Sequence, residues 1–104
     1  MTLLKKSFNR YMLFYFAGGE HSALVQCFEE EEYRGRILFY PDERDMPPCG
    51  IFAGAPSLHY SLRQYQDVID FIRYEKPLHL TLDPDSGKGY LATSNFEPIG
   101  EQEG

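Results

Sequence analysis

Apolar and polar positions follow two distinct periods along this chain. Residues 8–17 are dense in Tyr, Phe, Met and Leu on both alternating phases, which predicts a central strand covered on both faces. Gly18 and Gly19 then break the run. Residues 22–28 tolerate either helix or strand. A helix here would place Glu29, Glu30, Glu31 and Glu32 at its negative dipole end, so a strand is preferred. Residues 29–35 then form a charged hairpin loop, with Arg34 and Arg36 close enough to offset part of the glutamate repulsion. Residues 36–40 are a short apolar run bounded by Gly35 and Pro41, which predicts another strand. Pro41, Pro47 and Pro48 exclude a regular ladder over residues 41–50 and predict a loop, the most mobile element of the chain. Residues 50–60 contain a further extended segment, bent near Gly54 to Pro56.

The period then changes. Leu62, Tyr65, Val68, Ile69 and Ile72 recur at helical spacing and predict a helix over 62–75. Ser61 is placed as its N-cap, Gln64 completes a capping box, and Tyr60 and Tyr65 occupy the staple positions. Pro77 ends it. Leu78, Leu80 and Leu82 next alternate with His79, Thr81 and Asp83, predicting a strand with one oily and one wet face. Asp83, Pro84, Asp85, Ser86 and Gly87 supply turn chemistry, and residues 90–94 return as the second arm of a hairpin. These elements predict an α+β domain over residues 1–96. A mainly antiparallel sheet of five or six strands packs on one helix in the order β-β-β-β-α-β-β. Residues 97–104 are expected to be an acidic, frayed tail.

Length and composition narrow this without changing it. The chain has 104 residues, 42% hydrophobic and 25% charged, enough for one modest core. Ten basic residues against 16 acidic give a formal charge of −6, which repels a polyanion, and Lys5, Lys6 and Arg10 are the densest basic patch. Nucleic acid is therefore not an expected partner. No apolar run reaches the roughly 18 residues of a membrane helix, and Lys5-Lys6 ahead of Tyr11-Met12-Leu13-Phe14-Tyr15-Phe16-Ala17 only faintly mimics a signal peptide. A cytoplasmic protein with no membrane contact is expected. Cys27 and Cys49 match no metal or redox spacing and are expected to be free thiols.

Chemical motifs mostly fail on inspection. The run Asp85-Ser86-Gly87-Lys88-Gly89 has Leu82 and Gly89 where a phosphate loop needs glycine and a hydroxyl. Read as a calcium loop from Asp83, it has Lys88 and Ser94 where glycine and glutamate are required. His21, His59 and His79 have no partner at metal-ligand spacing, so no metal, cofactor or catalytic set is expected, and half-exposed strand histidines are the default reading. One constellation is retained. If residues 57–62 are extended, Ser57, His59 and Ser61 share a face. His79, Thr81 and Asp83 share another, and Arg63 begins the adjoining helix. Were the two strands neighbours, His59, Arg63, His79 and Asp83 would form a candidate ligand-binding site for an anion or for acid–base work.

Glu29 to Glu32 keep the chain soluble or dock a basic partner. Eight Tyr and eight Phe exceed the needs of one helix and a small sheet, and one helix is too narrow to cover six strands. The leading expectation is a small acidic binding or regulatory module acting through a protein interface, by homodimerisation or with another protein. The alternative is a small-molecule-binding protein or minor enzyme with its site near His59 and His79.

Overall fold

A computed structural model of the chain describes residues 2–42, 45–75 and 78–93. The described residues form β1 (Leu4–Phe8), β2 (Arg10–Tyr15), β3 (Ala23–Glu29), β4 (Glu32–Tyr40), β5 (Gly50–Phe52) and β6 (Ala55–Ser61). A 3₁₀ turn (Leu62–Gln64) runs into α1 (Tyr65–Tyr74), and β7 (Leu78–Asp83) and β8 (Lys88–Thr93) close the fold. The class is α+β, with a large and mainly antiparallel sheet and one helical segment.

The strands divide between two sheets, with orders β2-β3-β4-β6-β5 and β1-β7-β8. Within the large sheet only β4 and β6 run parallel. Leu58 in β6, Ile37 and Phe39 in β4, and Ala23, Val25 and Cys27 in β3 share one face, and all are buried. Two covers lie side by side on that face. One is α1, through Val68, Ile69 and Ile72; the other is the small sheet, through Phe8, Leu78 and Leu80. One helix is indeed too narrow for the sheet beneath it, and a second sheet closes the remainder. Gly35 lets the two sheets approach, because a Cβ there would stand 2.5 Å from Leu80 Cδ1.

The run over residues 8–17 is not one central strand. Asn9 is a corner: its N–H donates to the Phe28 carbonyl at 2.9 Å, and its side chain bonds both the backbone and the carboxylate of Glu30. β1 therefore joins the small sheet and β2 the large one. β2 lies at the edge, so its apolar residues on both phases meet solvent rather than two covering layers.

The hairpin expected over 29–35 is tighter than its charge implied. Strand pairing continues to Glu29 and Glu32, leaving Glu30 and Glu31 as the turn, with Glu30 at φ 55°. Arg34 does pair with Glu32, at 3.5 Å, while Arg36 turns to other partners. The bend expected near Gly54 is a complete hairpin between β5 and β6, with Ala53 and Gly54 both at positive φ.

The helix lies where its periodicity placed it. Gln64 Oε1 accepts from both the N–H and the hydroxyl of Ser61, at 3.1 and 3.2 Å. Tyr60 and Tyr65 both pack against Phe39. Pro77 and the expected tail over 97–104 lie outside the described residues, as does the domain boundary at residue 96.

β7 departs from its expected wet face: Thr81 is buried, and His79 is only 7% exposed. The strand is central in its sheet, with Lys5 and Ser7 of β1 on one side and Tyr90 and Ala92 of β8 on the other. Neighbouring side chains roof the polar positions, and the Tyr90 ring meets His79 edge-on.

Candidate functional site

The constellation proposed from sequence does not assemble. β6 and β7 belong to different sheets that pack face to face through Leu58 and Leu80. Side chains alternate along a strand, so His59 and His79, each next to a core leucine, point to opposite sides of the molecule. Asp83 is engaged by its own turn, accepting from the Asp85 N–H at 3.1 Å and the Ser86 hydroxyl at 3.0 Å. Arg63 forms an exposed ion pair with Asp42 at 3.8 Å. Of the four candidates, His59 lies within a polar network that joins β4, β6 and the loop between β4 and β5.

That network crosses the outer face of the large sheet. Arg36 and Ser57 are register partners on β4 and β6, and the Arg36 Nε–H donates to Ser57 Oγ at 2.8 Å. Ser57 Oγ lies 2.9 Å from His59 Nε2, and His59 Nδ1 lies 3.0 Å from the Pro47 carbonyl. A carbonyl only accepts, so Nδ1 carries the proton, Nε2 is the acceptor, and the Ser57 hydroxyl donates to it. Burial lowers the His59 pKa, and the nearby Arg36 charge lowers it further, against the opposing bond to Pro47. Burial and the Arg36 charge thus favour the neutral form of the ring.

Ser57 is 2% exposed and accepts a bond from a cation, which withdraws electron density from its oxygen. This geometry fixes the Arg36 guanidinium, which lies 3.5 Å over the Phe52 ring. The Cys49 thiol accepts from the His59 N–H at 3.4 Å, tying the 41–49 loop to the same face.

The second feature is β2, which the sequence reading placed inside the sheet. Tyr11, Met12, Leu13, Tyr15 and the adjoining Phe16 are between 37% and 69% exposed. The register with β3 sets Tyr11, Leu13 and Tyr15 on the core side of the sheet and Met12 and Phe14 on the outer side. Tyr15 stacks on Tyr65, and Phe14 on Phe16. A cavity of about 240 Å³ opens beside Tyr11, between Phe8, Ile72, Arg73 and Leu78.

β2 is also the least protected of the four sheet edges among the described residues. β5 is three residues long, β1 carries Lys5 and Lys6, and β8 opens with Lys88. Length and charge are the usual means of discouraging edge pairing. β2 has six residues and a single charge, Arg10 at its start. The available signal was Asn9-Arg10, a turn former and a charge that separate Phe8 from the apolar run beginning at Tyr11. No helix among the described residues is long and apolar enough to cross a membrane. No family model, curated protein or solved structure matches the chain.

Proposed function

We propose that the protein is a small acidic binding module that acts through a protein interface, with β2 as the contact. The observation that carries this reading is the coincidence on one strand of a ladder unpaired among the described residues and a run of exposed large apolar side chains. An occupant supplying an extended segment gains main-chain bonds from the edge and apolar contact from both faces. A reducing, cytoplasmic setting accords with Cys27 and Cys49 as free thiols, and burial pushes the Cys27 thiol strongly upward and leaves it unreactive.

The test is residue-resolved NMR of the full chain over a concentration series from about 10 μM to about 1 mM, the range in which modest interfaces associate. Association should broaden or shift resonances of Arg10 to Phe16 first. Changes confined to the outer face of β7 and β8, or to the Glu29–Glu32 turn, would place any interface elsewhere and overturn the reading.

A second reading has one observation in its favour. Arg36 is held flat by Phe52 and Ser57 and forms no ion pair among the described residues. A ligand carboxylate would meet a positioned cation there. Acetate titration followed at the Arg36 side-chain Nε–H tests it: a saturable shift abolished by Arg36→Met supports a ligand site, and no shift removes it.

A further inference from the structure

We infer that the occupant of the β2 edge is a second copy of this chain, paired antiparallel about a two-fold axis through Leu13. The inference rests on the interface reading above and specifies its partner.

Phe16 N–H donates to the Ser22 carbonyl at 2.8 Å, continuing the register in which Arg10 opposes Phe28 and Tyr15 opposes Ala23. Bonding alternates along an antiparallel pair, so the even-numbered residues of β2 bond to β3. The N–H and C=O groups of Tyr11, Leu13 and Tyr15 then face the open side.

In a continuous sheet, residues paired across the seam share a face, so two copies of one strand must pair residues of the same parity. Centring on Leu13 matches the three free odd positions: Leu13 opposes itself and Tyr11 opposes Tyr15. On the outer face, Met12 opposes Phe14 and Arg10 opposes Phe16. No two like charges oppose each other, and the only cation of the strand meets an aromatic ring. The cavity beside Tyr11 lies on the face where Tyr15 of the second copy arrives.

Five large side chains at their observed exposure offer roughly 400–500 Å² per copy, taking about 200 Å² for each side chain. The pair would bury roughly 900 Å², close to the ~1,000 Å² that separates a specific interface from an adventitious one. Such an interface, with its added ladder bonds, is expected to dissociate in the micromolar range.

Light scattering of the full chain from about 1 μM to about 500 μM tests this. The mass should rise from 12.1 kDa towards twice that value. Leu13→Lys sets two ammonium groups against each other on the axis and should weaken association at least ~100-fold while the circular dichroism of the folded chain is unchanged. In a Cys49→Ser background, Leu13→Cys should form an interchain disulfide under mild oxidation, because bonded partners stand about 5.5 Å apart at Cα. A 12.1 kDa monomer at every concentration overturns the inference. If that monomer's β2 resonances still respond to a different protein, the interface reading survives and only the second copy is lost. A dimer that responds at β2 but does not cross-link at Leu13 also overturns the two-fold register.

Discussion

Replacing Gly35 by alanine tests how closely the two sheets pack. Gly35 lies in β4 at φ 151°, a conformation that side-chain-bearing residues rarely adopt. An added Cβ would stand 2.5 Å from Leu80 Cδ1 and 2.7 Å from the Pro56 carbonyl oxygen. Leu80 is fully buried, and Pro56 O belongs to the backbone of the neighbouring strand β6, so neither can simply swing away. Overpacking a filled core costs about 1–3 kcal/mol, and the unfavourable backbone angle adds about 1–3 kcal/mol. The expected loss is therefore about 2–6 kcal/mol, a large share of the roughly 5–15 kcal/mol a domain holds. At about 4–8 °C per kcal/mol, the melting temperature should fall by at least ~10 °C. Urea unfolding followed by tyrosine fluorescence reads the loss, since the chain has no tryptophan. Gly50→Ala is the control: nothing lies within 4 Å of its added Cβ, and a change of about 0.4–1 kcal/mol towards stability is expected. A Gly35→Ala protein within about 0.5 kcal/mol of wild type would mean that the sheets do not touch where β4 meets β7.

Three further outcomes follow from the same geometry. His59 and His79 both have lowered pKa values, chiefly through burial, so the unfolded chain binds more protons than the folded one just below their ordinary value of 6.5. Stability should be full above about pH 6.5 and decline as pH falls towards the folded-state values. His59→Gln should flatten part of that decline in a pH series of urea midpoints, and a profile unchanged by the substitution contradicts the assignment. Asp83→Ala removes two acceptor bonds from the β7–β8 turn and should cost about 0.5–1.5 kcal/mol, with amide exchange faster at Lys88 and Gly89 than in α1. Arg36→Met leaves Ser57 without its donor and Phe52 without its cation. It should raise the His59 pKa, visible in the imidazole carbon shifts, because one of the groups lowering it is gone.

What could be read from the sequence, and what could not, divides along local and non-local physics. The 62–74 helical segment was legible because its cap and its stripe both lie within one window of chain. The β7–β8 hairpin was legible for the same reason, as turn chemistry at Asp83 to Gly87 joins two strands. The fate of residues 8–17 was not legible from periodicity. Apolar residues on both phases describe a strand buried on two sides, and they describe equally a strand that awaits a partner. Only the corner at Asn9, held by Phe28 and Glu30 more than 18 residues away, separates β1 from β2. The candidate site failed for a related reason. His59 and His79 share a pattern of polar residues between core leucines, but sequence does not reveal that those leucines face each other. Arg36 was read as a partner for the glutamates, and its role beside Ser57 depends on the parallel pairing of β4 with β6, a contact between strands separated by a loop and a hairpin.

The claim that bears most weight is that a second copy of the chain pairs with the open side of β2. Amide hydrogen exchange at Leu13, measured in the full chain at high and low concentration, addresses it directly. Its N–H should be slow to exchange near 500 μM and fast near 1 μM, while Val25 in the interior of the same sheet stays slow throughout. Rapid exchange at Leu13 at both concentrations would mean that no second copy pairs with the edge. Equal protection at both would mean that the chain covers β2 itself, and either result would contradict the account.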